Sequence, residues 1–238
     1  MTIDIILTAR DIDAEKVKNK TVIVIDVLRA TSVMTMALAN GAHQVIPVLS
    51  PEEAFALQKK IGSEKVVLGG ERNEVPIEGF DVGNSPLSYP PEVIKGKTLL
   101  ITTSNGTRAI AHSKEAQKML IGCFLNDKAI IDAVQHEEEL ILVASGSDDL
   151  FTLEDSLCAG KIAYVLQQRC NAQLSDVAIA MAKLYEQNQN DIHALLSKGR
   201  HYNRLKELGA SDDLTYCLAS DQTKVIPIYT QEGTFVRL

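Results

Sequence analysis

Short apolar and β-branched runs recur along the chain, each closed by polar or turn-forming residues. Ile3–Leu7, Thr21–Ile25, Gln44–Leu49, Val66–Leu68, Thr98–Thr103, Lys118–Gly122, Leu140–Ala144 and Val225–Tyr229 predict strands. TVIVI at Thr21–Ile25 and LILVA at Leu140–Ala144 lack the alternation of a half-exposed strand, so burial on both faces is expected. Pro227 inside the last run predicts a sheet edge, because proline cannot donate to a ladder. Between the strands the spacing is helical. Ser50-Pro51-Glu52-Glu53 opens a helix to about Ile61, with Ser as cap, Pro at the first position and Glu at the third, and Gly62 closes it. Ser32 is expected to cap a helix over Val33–Asn40, and Asn126 one over Lys128–Gln135. Further helices are expected over Ser156–Arg169, Asp176–Glu186, Ile192–Ser197 and Tyr202–Leu208, while Asp212–Leu218 is ambiguous. This alternation predicts an α/β fold with three layers, α/β/α, around a largely parallel or mixed sheet. Residues 1–238 form a single α/β unit on this reading, with any division into two lobes falling near 115–140.

Ligands of such folds sit outside the carboxyl ends of the strands. The polar clusters of this chain fall at those ends: Asp26–Thr31, Gly69–Arg72, Thr103–Arg108, Cys123–Asn126 and Ser145–Asp155. In TSNGTR the hydroxyls of Thr103, Ser104 and Thr107, the N–H groups near Gly106 and the cation of Arg108 gather where a strand gives way to a helix. That is a place for an anion, or simply a polar connection capping the helix. Asn73–Pro91 carries Pro76, Pro86, Pro90, Pro91, Gly79 and Gly83 with little periodicity. Phe80, Val82 and Leu87 give it apolar anchors, so an ordered, functional loop is expected.

Composition narrows the partners. Of 238 residues, 45% are hydrophobic and 23% charged, ordinary for a globular protein. A net charge of −7 argues against nucleic acid as partner, and the absence of Trp argues against an aromatic stacking platform. Cys123, Cys158, Cys170 and Cys217 form no C-x-x-C pair and no zinc-like spacing with histidine, as expected of free thiols in a reducing compartment. MTIDIILTAR has an acidic residue where a signal peptide carries basic ones, and no apolar run approaches the ~18–20 residues of a membrane span. A cytoplasmic protein without a membrane partner is expected. If it self-associates, a homodimer is the commonest form.

Three arginines follow strand ends: Arg29, Arg72 and Arg108. Each guanidinium suits planar contact with phosphate, sulfonate or carboxylate, and three on one sheet edge favour a ligand with more than one anionic group. Four carboxylates, Asp26, Glu71, Glu154 and Asp155, lie in the same connections. Asp26 directly ends a hydrophobic strand, where burial is costly unless it is paired or binds a metal. A hard cation such as Mg²⁺ takes one or two carboxylates plus substrate oxygens and waters. The alternative is that Asp26 pairs with Arg29 and that Glu154-Asp155 caps the following helix. Asn84 and Ser85 in the GNSP turn offer donors to ligand oxygens, or form an Asx-type turn before Pro86. Among the histidines only His201 invites attention as a site residue. No G-x-x-x-x-G-K-[ST], G-x-G-x-x-G or G-x-S-x-G occurs. The residues by themselves point to an α/β enzyme for a small polyanion, assisted by a divalent cation.

At these same residues the chain resembles the 2-phosphosulfolactate phosphatase family of coenzyme M biosynthesis. The matching stretches are VIDVLRAT (Val24–Thr31), ALANGA (Ala37–Ala42), GGER (Gly69–Arg72), GFDVGNSP (Gly79–Pro86), TTSNGTR (Thr102–Arg108) and LEDSLCAG (Leu153–Gly160), with a weaker match over His201–Gly209 and Asp213–Cys217. Ser104 departs from the family pattern, where Thr is expected, and keeps the hydroxyl. The resemblance implies Mg²⁺-dependent hydrolysis of 2-phospho-3-sulfolactate to 3-sulfolactate and phosphate. On this basis Asp26, Glu71 and Arg108 are expected to be catalytic, with Asp26, Glu71, Glu154 and Asp155 as the metal carboxylates. Arg29, Arg72, Asn84, Thr103, Asn105, Gly106 and Thr107 are expected to contact substrate. Phosphatase action on a related small phosphorylated hydroxy acid, or anion binding without chemistry, are the other readings of this site.

Overall fold

The computed structural model describes residues 1–238. Its eleven strands are β1 (Thr2–Ile6), β2 (Thr21–Ile25), β3 (Gln44–Pro47), β4 (Val66–Arg72), β5 (Val75–Pro76), β6 (Thr98–Thr102), β7 (Lys118–Gly122), β8 (Glu139–Ala144), β9 (Gln173–Leu174), β10 (Pro227–Tyr229) and β11 (Phe235–Arg237). The helices are α1 (Ala14–Val17), α2 (Ala30–Ala39), α3 (Pro51–Ile61), α4 (Pro91–Ile94), α5 (Gly106–His112), α6 (Asp127–Val134), α7 (Leu153–Cys170), α8 (Asp176–Asn188), α9 (Ile192–Leu196), α10 (Arg200–Glu207) and α11 (Ser211–Cys217). The strands join one mixed sheet in the order β5-β4-β6-β3-β11-β10-β7-β2-β8-β1-β9.

Two parallel blocks make up that sheet. In the larger, β2 lies between β7 and β8, and β8 pairs with β1. All five residues of β2 are buried, as its unbroken apolar run requires. Ile23 and Ile25 face a core shared with α6, α7 and α8. Val22 and Val24 face the opposite way, toward α2 and α5. The smaller block sets β6 between β3 and β4. Its Val45, Val67, Leu99 and Ile101 join the same α2/α5 core, while Val66, Leu68 and Leu100 pack on α3. Each block is thus the middle of an α/β/α arrangement, and α2 and α5 serve as a common layer.

The C-terminal hairpin stitches the blocks together. β10 runs antiparallel to β7 through Ile228 and Leu120, and β11 antiparallel to β3 through Phe235 and Val45. Pro227 therefore lies inside the sheet and not at the expected edge. It is tolerated because β10 meets β7 only at Ile228, so the missing N–H breaks no ladder there. Other boundaries shift for local reasons. Helix α2 starts at Ala30, before Ser32, because the hydroxyls of Ser32 and Thr31 donate to the carbonyls of Val27 and Asp26 and tighten the turn. Asn126 accepts from the Cys123 N–H and donates to the carbonyls of Ile121 and Val225, and so braces the hairpin region instead of capping α6. The strand expected over Val66–Leu68 runs on through Gly69-Gly70-Glu71-Arg72, which are the end of β4 and not a connection after it.

Candidate active site

The connections after β2, β4, β6 and β8 converge on one cavity with about 510 Å³ of space, part of it open to solvent. Of its sixteen lining residues only Leu28 and Leu205 are hydrophobic, so it suits a charged ligand. Strand ends from both blocks supply its walls: Asp26 follows β2, Glu71 ends β4, Thr103 and Asn105 follow β6, and Gly146 follows β8. Close backbone approach makes this possible. A Cβ on Gly106 would stand 2.8 Å from Asp26 Oδ2 and 2.7 Å from the Ala30 Cβ. At Gly70, where φ is +134°, a Cβ would meet the Thr102 carbonyl at 2.0 Å.

Four buried carboxylates surround this floor, each with different partners. Asp155 accepts from the N–H groups of Val27 and Gly146 and from Thr152 Oγ1, so it ties the β2 and β8 turns together. Glu71 accepts from the N–H of Ser104 at 2.7 Å, from Ser104 Oγ and from the N–H of Glu74. Glu154 takes a hydrogen bond from His201 Nδ1 at 2.5 Å. Asp26 is different. Its Oδ1 accepts from the Ala30 N–H at 3.1 Å, and its Oδ2 receives no protein hydrogen bond. Burial raises the Asp26 carboxyl to about 6, with Glu71 and Glu154 adding to the rise while the Ala30 N–H and the charge of His201 oppose it. Burial and the charge of Asp26 likewise push Asp155 up. Burial alone would lower His201, but the hydrogen bond and charge of Glu154, with Asp155 and Asp26 behind it, hold it up at about 9. His201 is thus an imidazolium facing a cavity of carboxylates, with its Nε2 3.5 Å from Glu74.

The three arginines part company. Arg29 lines the cavity, and its single hydrogen bond runs from Nη1 to Asp213 Oδ2 at 2.5 Å, leaving Nε and Nη2 without protein partners. Arg72 spends its guanidinium on the carbonyls of Glu71 and Leu49 and on Thr102 Oγ1. Arg108 forms a half-exposed pair with Asp149 at 2.9 Å and does not line the cavity. Asn84 and Asn105 do line it, and Asn84 Oδ1 is buried without a partner. Thr103 lines the cavity. Thr107 turns inward, its hydroxyl donating to the Thr103 carbonyl.

Several lining residues carry no distinct sequence signal. Glu74, in the tight turn between β4 and β5, bridges His201 and Arg204. Ser147 and Asp148 come from the loop after β8, and Arg200 reaches both. His201, on the first turn of α10, arrives from a helix distant in the chain; it is the one histidine the sequence marked for attention, and the weaker family match over His201–Gly209 includes it.

No three His, Cys, Asp or Glu side chains come together as a metal-binding group. The donors are nevertheless hard oxygens, and the unpartnered Oδ2 of Asp26 in the cavity fits Mg²⁺, which takes one or two carboxylates and completes its shell with water and substrate. No helix is long and apolar enough to cross a membrane.

Comparison with known proteins adds a family to this geometry. The family model described as 2-phosphosulpholactate phosphatase matches residues 6–232. A Clostridium novyi protein named probable 2-phosphosulfolactate phosphatase is 46% identical over 228 residues, 95% of this chain and 96% of its own. A protein of the same name from Clostridium acetobutylicum is 44% identical over 232 residues, 97% of this chain and 98% of its own. Another, from Clostridium beijerinckii, is 38% identical over 231 residues, 96% of this chain and 97% of its own. Matched over almost its whole length by both the family model and these relatives, the chain belongs to the 2-phosphosulfolactate phosphatase family.

Proposed function

We propose that this chain is a phosphoric monoester hydrolase that converts 2-phospho-3-sulfolactate and water into 3-sulfolactate and phosphate, with Mg²⁺ as cofactor, as a step of coenzyme M biosynthesis. The observation that carries the reading is the pairing, in one almost wholly polar cavity, of a buried carboxylate with a free oxygen, Asp26, and a largely covered imidazolium, His201. Asp26 is the proposed nucleophile. The Ala30 N–H pins Oδ1, and Oδ2 attacks phosphorus as the bond to the C2 oxygen breaks. His201, oriented by Glu154 through Nδ1, gives the departing oxygen its proton from Nε2. Water then attacks the phosphoryl group on Asp26, giving a proton back to His201 Nε2, releasing phosphate and restoring the carboxylate. Glu71, Glu154 or Asp155 would hold Mg²⁺ beside Asp26, and the ion would supply neutralisation of the phosphoryl oxygens. Thr103, Asn105 and Asn84 supply polar contacts, and Arg29 an anion-binding fork. The four free cysteines, three of them buried, suit a reducing cytoplasm.

The test is phosphate release from 2-phospho-3-sulfolactate with Mg²⁺ and then with EDTA, beside phospholactate and an aryl phosphate. Mg²⁺-dependent turnover strongly favouring the sulfonated ester is expected. Equal turnover of all three would leave a phosphatase and remove the substrate. No release from any, with anion binding retained, would make the chain a binding protein.

A further inference from the structure

The cavity continues past Arg29 into a second cleft. Arg29, Glu71, Glu74, Asn84 and Leu205 belong to both spaces, while Asp26 and His201 belong only to the first. The second cleft adds the GNSP loop, through Gly83 and Ser85. Arg29 thus stands where the space around Asp26 passes into the second cleft.

Behind Arg29 stands Asp213, on α11, only 5% exposed. Each of its carboxylate oxygens holds one group from a different motif. Oδ2 takes Arg29 Nη1 at 2.5 Å, and Oδ1 takes the Ser85 hydroxyl at 2.5 Å. A charged carboxylate locked on one corner of a guanidinium fixes the plane of the whole group. The fork formed by Nε and Nη2 is left free, because neither atom has a protein partner although the side chain is 11% exposed. A nearly buried cation with unspent donors calls for an anion from the ligand. Next to it, Asn84 adds a side chain whose Oδ1 is buried and unpartnered.

We propose that Asp213 is a positioning residue that aims Arg29, with Asn84 beside it, at the non-reacting sulfonate of the substrate. This rests on the reading of the protein as a 2-phosphosulfolactate phosphatase. The sulfonate subsite is then separate from the phosphoryl site at Asp26, and it is built jointly by the turn after β2, the GNSP loop and α11.

Two probes divide the two ends: 3-sulfolactate and inorganic phosphate, titrated calorimetrically into the wild-type protein, D213N and S85A, beside turnover of 2-phospho-3-sulfolactate. D213N replaces the charged acceptor of Arg29 with a neutral amide and is expected to weaken 3-sulfolactate about tenfold or more, from the loss of a charged hydrogen bond. Phosphate affinity should stay within about twofold. In turnover the loss should appear as a raised KM more than a lowered kcat, since uniform binding is removed. S85A, which leaves the charge pair in place, should shift 3-sulfolactate in the same direction by less, and it carries the test if D213N does not fold. Equal loss of both probes, unchanged affinity for 3-sulfolactate, or no binding of 3-sulfolactate to the wild type would each overturn the assignment. Wild-type binding of 3-sulfolactate that D213N weakens, without turnover of the phosphorylated ester, would remove the phosphatase and leave this subsite standing.

Discussion

Asp26 carries two opposed demands. Its free oxygen is what the proposed chemistry needs, yet its burial makes ionisation costly. In the folded chain its carboxyl lies near 6 against an ordinary 3.8. The proton is thus bound more tightly by the folded state, and the stability this group contributes at low pH is lost as pH rises from about 4 to about 6. Above that range the cost amounts to about 3 kcal/mol. D26N should therefore lose at least about a thousandfold in turnover while its melting temperature at pH 8 rises by a few degrees. Near-normal turnover of D26N at saturating Mg²⁺ would discard Asp26 as the nucleophile. His201 has the same sign of pH dependence at a higher range. Its folded value of about 9 exceeds 6.5, so its contribution is complete below 6.5 and fades as pH rises through 9. An ionised Asp26 with a protonated His201 predicts a bell-shaped kcat/KM profile that climbs around pH 6 and falls around pH 9. H201N should flatten the alkaline limb and reduce kcat by about a hundredfold or more.

Two elements, α2 and α5, bring this chemistry together, and Gly106 is a point where their first turns meet closely. G106A would drive a methyl group into Ala30 and Asp26 Oδ2, both under 3 Å away. A stability loss of about 1–3 kcal/mol, read from urea denaturation, and near-complete loss of turnover should follow. Arg72 acts on a neighbouring element in a different way. It straps the end of β4 to β6 and to the loop after β3 through three acceptors. R72A should cost about 2 kcal/mol of stability by the same measurement. What the sequence made legible follows from range. The buried strands, the Ser50-Pro51 helix start and the convergence of strand ends are local patterns, and all are present. Asp26, Glu71, Asn84 and Thr103 were recognisable because each sits in the few residues after a strand or in a Gly/Pro-marked turn. Glu74 was not, and His201 and Asp213 were marked without a role, because their meaning lies in partners such as Glu154 and Arg29, dozens to well over a hundred residues away. The boundary of α2 was hidden for the opposite reason: two hydroxyls that resemble caps bond backward into the turn.

Across the whole molecule, the cavity exists only while both blocks of the sheet stay together. Asp26 and Asp155 come from the larger block, Glu71 and Thr103 from the smaller, and the blocks share the α2/α5 core and the β10–β11 hairpin. Phe235 sits at that joint, fully buried, paired with Val45 in register and packed on the Tyr229 ring at 5.0 Å. F235A removes an aromatic ring from the core common to both blocks and should cost about 3–5 kcal/mol. Because the two blocks have no separate cores on their facing sides, the loss should appear as one earlier transition, identical by circular dichroism and by calorimetry. Saturating 3-sulfolactate should then raise that single midpoint, since a ligand held at a hundred times its Kd adds about 2.7 kcal/mol to the folded state. Two separated transitions in F235A, with 3-sulfolactate moving only one of them, would mean that the blocks fold independently and that the site is assembled by docking. A single transition that the ligand moves as a whole would mean that the hairpin, far from any reacting atom, sets how much of the chain is competent to bind.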